Sequence, residues 1–344
     1  VSETRVRIIV AGSLVVVAVG FLAVRLLYPF AFVSNDAPRW LLHGILPHLR
    51  KQASGWSLAS MAIFPFAVLA IFILERLFPA VPTQKTLSTG LVHDAIMVLI
   101  EAAVALVLYR WYGKLLYTTY TRHLGFLTLP VPQSLPVMLR LAIGAVVLDF
   151  GRWCSHWLHH HVTWLWPFHA IHHSQRELNL FSEHRTHVVQ YFTRYTLAAL
   201  PMLMLKLQEP LVLWWLLLLA WHARFYHANI RSDFGLLRYL VVTPQSHRIH
   251  HSRDAAHFNQ NYGATLSVWD YLFGTQFRGY EVYPETGLDD EEFPVETAHS
   301  VSGLLISPLR QMLYPFRQLL PSRKREEQPH EWATLPANRL RTKS

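Results

Sequence analysis

The chain has 344 residues, of which 52% are hydrophobic and only 15% charged; soluble domains carry about 25% charged residues, so the deficit points to a membrane protein. The formal charge of +9 is spread through loops and the C-terminal segment, as on a cytoplasmic membrane face, which argues against nucleic acid as a partner. A single cysteine, Cys154, excludes an intrachain disulfide and a cysteine-based zinc site.

Six apolar stretches follow one another along the chain. Residues 8–28 form a first span, preceded by Arg5 and Arg7; its length and the lack of a small-x-small site favour an anchor over a cleaved leader. A second covers 57–79, and a third, 91–112, holds His93, Asp94 and Glu101, so it is expected to face other helices rather than lipid. A fourth runs 135–153, with Asp149 near its end. Stretches 188–207 and 210–224 are shorter and broken at Gln208-Glu209-Pro210, as in a hairpin that enters the membrane and returns. The fold predicted is an all-α transmembrane bundle of about four to six spans with a cytoplasmic helical cap. Residues 154–187 and 225–344 fall on one side with the larger share of arginines, among them Arg176, Arg231 and Arg253. That bias puts an integral membrane protein's active site towards the cytoplasm. The domain division expected is a transmembrane region over 1–80, a catalytic region over 81–310, with a polar, acidic surface loop at 280–300, and a basic, disordered tail over 321–344.

Fifteen of the 21 histidines lie between His156 and His257. Three clusters stand out: His156 with His159, His160 and His161; His169 with His172 and His173; His247 with His250 and His251. The last two share the pattern HxxHHS, ending in Ser174 and Ser252. Residues at i, i+3 and i+4 share a helix face, so HxxHH directs imidazoles to one side, as does the i, i+4 pair His156 and His160. Neighbours such as His172 and His173 diverge by about 100° and can serve different ions. Neutral imidazole suits Zn, Cu, Fe and Ni. A structural zinc needs four ligands, and so many spaced histidines point to two ions held by nitrogen. His159 and His161 fall off the His156/His160 face. Asp149 and Glu177 are candidates to accept the outer N–H of ligating histidines, and Asn229 and Asn261 to donate hydrogen bonds near them.

These residues resemble the fatty acid hydroxylase / sterol desaturase superfamily of integral-membrane di-iron oxygenases. The resemblance extends over roughly residues 70–310 and is carried by Pro244-Gln-Ser-His247-Arg-Ile-His250-His251-Ser252, Asn261-Tyr262-Gly263, Trp269-Asp270 and Phe273-Gly274-Thr275. It also rests on Trp166-Pro-Phe168-His169, Arg185 with His187, and Asp149 seven residues before His156. His227-Ala-Asn229 resembles the family's later isolated histidine. The resemblance implies nine ligands, His156, His160, His169, His172, His173, His227, His247, His250 and His251, with His187 and His222 as secondary candidates. It implies two non-haem Fe ions, O2 as co-substrate, a lipid substrate such as an acyl chain or sterol, and a separate ferredoxin- or cytochrome-type electron donor with its reductase. The reaction implied is hydroxylation or desaturation of a C–H bond, with hydroxylation favoured. Two features depart from the pattern: Trp153 and Cys154 stand where the family has Tyr-Trp, and Trp157 where it has Arg; these bear on substrate subgroup. There is no His-Pro-Gly-Gly haem motif. The alternative is a membrane metal-binding or transport protein without redox catalysis, which would need ligands strung along a pore. A zinc hydrolase is disfavoured because no HExxH is present.

Overall fold

The computed structural model describes residues 66–85, 88–107, 111–207, 212–296 and 301–319. Within them the chain is all-α, and extended segments meet only at isolated bridges. Helix α1 spans 66–77. It is followed by α2 (Thr89–Val107), α3 (Gly113–Thr119), α4 (Val137–His161), α5 (Trp166–His173) and α6 (Val188–Met204). Then come α7 (Val212–His227), α8 (Pro244–His250), α9 (Val268–Phe273) and α10 (Val301–Leu319).

Helices α4 and α6 form the main antiparallel pair. Their backbones meet at Gly151, where a Cβ would sit 2.4 Å from the Leu197 carbonyl oxygen; only glycine allows this approach. Leu148 and Met202 close the contact together with Leu207 and Leu219. On the other side, Ile71 of α1 packs with Leu91, Ala95 and Val98 of α2, sealed by Leu180, Phe181, Ala228 and Ile230. Between these layers lies α5, whose residues 167–173 are all buried. Its Ile171, fully buried, meets Met97 of α2, Phe293 of the loop after α9, and Tyr314 of α10. Each such side chain contributes roughly 1.5–3 kcal/mol.

Local signals start and stop the short helices. Pro167 occupies the first turn of α5, where its missing N–H costs nothing. Thr243 and Ser246 form a reciprocal capping box at α8, again with a proline, Pro244, at the start. Helix α9 ends at Gly274 in the left-handed region, φ +73°.

No helix among the described residues is long and apolar enough to cross a membrane. The expected spans become helices with different limits. The 188–207 and 210–224 stretches are α6 and α7, of 17 and 16 residues. At 1.5 Å per residue they reach about 25 Å, short of the roughly 30 Å of bilayer hydrocarbon. The 91–112 stretch corresponds to α2 and carries Asp94 and Glu101, while α4 runs on past 153 into the first histidine cluster. The expected span at 8–28 and the tail at 321–344 lie outside the described residues.

Candidate metal centre

Four helices meet at the histidines. Helix α4 brings His156 and His160 on consecutive turns, α5 brings His169, His172 and His173, α7 ends on His227, and α8 carries His247 and His250 and is followed by His251. Their rings sort into two groups. His156, His160, His169, His173 and His250 form the first, His172, His227, His247 and His251 the second; within each group one nitrogen per ring lies within 4.8 Å of all the others. The groups adjoin, with the rings of His173 and His251 stacked at 4.6 Å.

The split refines the expectation from spacing. At 100° per residue, positions i+3 and i+4 lie on opposite sides of i. The i, i+4 pairs stay together: 156 with 160, 169 with 173, 247 with 251. The i+3 members, His172 and His250, cross to the other group. The three histidines of HxxHH therefore do not share one site, and helices α5 and α8 each feed both groups.

The ring nitrogens are spaced as ligands would be. Nε2 of His169 lies 3.1 Å from Nε2 of both His156 and His173, and His173 lies 3.1 Å from His160. In the second group, Nε2 of His227 lies 3.3 Å from His172 and 2.8 Å from His247, with His251 3.0 Å from His247. Nitrogens about 2.1 Å from a shared ion fall about 3 Å apart at right angles and about 4 Å apart when opposed. Backbone carbonyls fix several tautomers. The Nδ1–H groups of His156, His227 and His250 donate to the carbonyls of Tyr262 (2.8 Å), Ala223 (2.7 Å) and Gln260 (2.8 Å). Each ring then aims an Nε2 lone pair inward. The Nε2 of His250 is buried without a hydrogen-bond partner, an arrangement that a cation would relieve.

Burial, and then the neighbouring imidazoles, hold His160, His169, His173 and His251 well below the usual histidine range. Burial likewise brings His227 and His250 to about 4. All nine are therefore neutral and ligand-ready at neutral pH. Nitrogen donors alone suit iron, zinc or copper, and the residues present fit a pair of such ions.

The other candidates lie elsewhere. His187 caps α6, its Nδ1 accepting from Val189 N at 3.0 Å, and its Nε2–H donates to Met312 O at 3.2 Å. His222 donates to Val242 O at 2.9 Å. Neither joins a group. His159 is spent on Ser155 O and Thr193, and His161 is exposed and stacked on Trp157. None of the four expected supporting residues bonds a clustered histidine. Asp149 accepts from Leu266 N and Trp269 Nε1, both at 3.0 Å, because its turn faces the 265–269 loop. Glu177 stays at a turn through its backbone. Asn229 clasps Val81 by both side-chain atoms. Asn261 ties Ser246 O to Phe277 N.

Support comes instead from residues that were expected as motif members or not at all, rather than as partners of the histidines. Buried Asp270 accepts from Trp153 Nε1 (3.0 Å), Tyr262 N (2.9 Å), Gly263 N (2.7 Å) and Thr275 Oγ1 (2.6 Å). It thereby holds the Tyr262 carbonyl that orients His156. A Cβ on Gly263 would lie 2.9 Å from that carboxylate, which accounts for the glycine in Asn261-Tyr262-Gly263. Beside His227, His184 sits among Glu101, Glu183 and Arg224. Burial opposes its charge, but the two carboxylates prevail and raise it to about 9. Burial works against Glu183 too, yet Arg224 and His184 bring it to about 2. A cavity of about 60 Å³ opens onto both groups, meeting His156 and His169 of the first and His172, His227 and His247 of the second.

Comparison with known proteins places this geometry. Residues 141–275 match the fatty acid hydroxylase family model. The ornithine lipid hydroxylase OlsE of Rhizobium tropici is 34% identical over 144 residues, covering 42% of this chain and 44% of that protein. Human alkylglycerol monooxygenase is 30% identical over 135 residues, 37% of this chain and 28% of the relative. The fatty acid hydroxylase vlmA of a Lecanicillium species is 29% identical over 155 residues, 39% and 41% of the two chains. The chain thus spans less than half the length of these relatives, and no solved structure matches it. The segment that matches the fatty acid hydroxylase family model contains all nine clustered histidines and their four helices' contributions to the site.

Proposed function

We propose that this protein is a membrane-bound lipid hydroxylase whose nine clustered histidines hold two non-haem iron ions. The observation that carries the reading is the pair of buried, neutral histidine groups, five and four strong, inside the segment that matches the fatty acid hydroxylase family model. The iron pair, when bound, supplies activation of O2: one oxygen atom enters a C–H bond and the other leaves as water, at the expense of two electrons from a separate ferredoxin- or cytochrome-type donor and two protons. The chain's own residues do the rest. Carbonyls of Tyr262, Ala223 and Gln260 fix the ligand tautomers. Buried α5 and α8 keep bulk water from the histidines. Glu183 sets one negative charge beside the otherwise neutral ligands.

The lipid substrate is supported by what the relatives' names say they act on, an ornithine lipid and an alkylglycerol. Hydroxylation is preferred to desaturation because these relatives are named hydroxylases and monooxygenases. Membrane attachment is supported by the apolar composition and by large apolar side chains left exposed, including Phe66, Phe126, Leu129, Met138, Leu236 and Leu272. The arginine bias directs the site to the cytoplasmic side. A transport role is disfavoured because the ligands gather at one buried locus rather than along a path. Metal analysis of detergent-purified protein tests the reading. About two irons per chain are expected; a single zinc per chain would remove it.

A further inference from the structure

The cavity beside the histidines is lined by two half-buried guanidinium groups that make no direct ion pair among the described residues. Arg152 and Arg194 both line it. Arg152 lies on α4 four residues before His156, and Arg194 on α6 four residues after Gln190, which lines the same cavity. Each is thus one turn, about 5.4 Å of helix, beyond a residue that faces the histidines. Among the buried arginines, Arg185 pairs with Asp94 and Glu296 and Arg224 with Glu183, while Arg248 donates to the Pro284 carbonyl at 3.0 Å. Arg152 and Arg194 touch no carboxylate directly; Asp149 acts on Arg152 and Glu101 on Arg194 only from a distance. Arg194 lies 4.9 Å over the Tyr191 ring, an attraction to an aromatic face that leaves its N–H groups available to an anion.

Charge accounting around the cavity is one-sided. Its single acid, Glu183, is engaged by Arg224 and His184, both at 3.1 Å. The histidines are neutral and contribute no negative charge, and any cation they hold adds positive charge. Two guanidinium groups at one cavity form the arrangement that recognises carboxylate or phosphate through paired, charge-assisted hydrogen bonds. The size of the cavity, about 60 Å³, leaves room for only a few water-sized groups. That suits the polar end of a lipid.

Building on the lipid hydroxylase reading, we propose that Arg152 and Arg194 bind the anionic group, carboxylate or phosphate, of the lipid that is oxidised. This contact holds a carbon near the polar end of the lipid against the two histidine groups. The oxidised position is then counted from the polar end, and lengthening the alkyl tail leaves it unchanged.

The test uses the whole chain in neutral detergent and titration calorimetry. The probes are a single-chain fatty carboxylate, the alkyl phosphate of equal length, the corresponding alcohol, and inorganic phosphate. Both anionic lipids are expected to bind about 10- to 100-fold more tightly than the alcohol. Arg152→Gln and Arg194→Gln each remove most of that preference and the double variant removes all of it, with alcohol affinity and metal content at wild-type values. Arg→Lys at either position, which keeps the charge, retains part of the preference and serves as the control if a glutamine variant fails to fold. Equal binding of anionic lipid and alcohol, or a preference that survives in the double variant, overturns the proposal. Inorganic phosphate binding as tightly as the alkyl phosphate also overturns it, by identifying a free-anion site. Loss of iron or of oxidation with the anion preference intact would remove only the hydroxylase reading. Iron and oxidation without the preference would remove only the arginine subsite.

Discussion

Two kinds of buried histidine lie side by side in this protein. On α5 and at α8, i, i+4 partners hold their ring nitrogens about 3 Å apart and are kept neutral by burial. His184, equally buried and one residue from Arg185, faces Glu101 and Glu183 and keeps its proton to about 9. Burial is common to both, so burial does not identify a metal ligand. The distinction lies in what the inward nitrogen meets: another lone pair in one region, a carboxylate in the other. His159, His187 and His222 form a third case, bonded to backbone or hydroxyl groups outside both histidine groups.

The comparison breaks most readily at the clustered set. His172→Ala and His250→Ala, one from each group, are each expected to leave at most about one iron per chain and to lower turnover by more than about 100-fold; wild-type iron in either variant, read by metal analysis, would show that the groups are not metal sites. On the charged side, Arg185→Ala strands Asp94 in a fully buried position. It should destabilise the fold by about 3–5 kcal/mol, read by denaturant titration, and an unchanged midpoint would mean that the pair carries no structural weight.

A pH series sharpens the contrast. His184 is raised from 6.5 to about 9 on folding, so its contribution is complete below pH 6.5 and disappears as pH rises through 9. By linkage it amounts to about 3 kcal/mol. The stability gap between wild type and His184→Gln should therefore close across that window; a gap constant from pH 6 to 10 would contradict the ion-paired assignment. The smallest effects are expected at His187 and His222. Alanine at either should leave iron content at the wild-type value and cost about 1 kcal/mol of stability for a lost hydrogen bond. Iron loss there comparable to that in His172→Ala would mean that the two groups have been drawn too narrowly.

The local part of the site was legible in the chain. Spacing at i, i+4 marks His156/His160, His169/His173 and His247/His251 as pairs, and adjacency separates His172 from His173. The resemblance supplied His227, which has no spacing signal of its own. What spacing cannot supply is the partner across the fold. Asp270 bonds Trp153 from 117 residues away, and Asn229 bonds Val81 from 148. An acid near a histidine in sequence, as Asp149 is to His156, can face another loop altogether. His184 offered only its place in the histidine count, and its partner Glu101 only an acid in an apolar stretch. The helices themselves were visible as apolar stretches. Their lengths were not, because caps such as His187 and breaks near Lys206, with its positive φ, set the ends.

The interleaving of the two groups has a thermodynamic consequence. Helix α5 commits His169 and His173 to one group and His172 to the other, and α8 divides His250 from His247 and His251 in the same way. An ion that orders either helix for one group has already ordered it for its neighbour, so the second ion is spared part of the conformational entropy the first had to overcome. Loading should be cooperative: stripped protein titrated with ferrous ion would pass from empty to doubly filled with a Hill slope above one. Half-filled molecules would stay scarce.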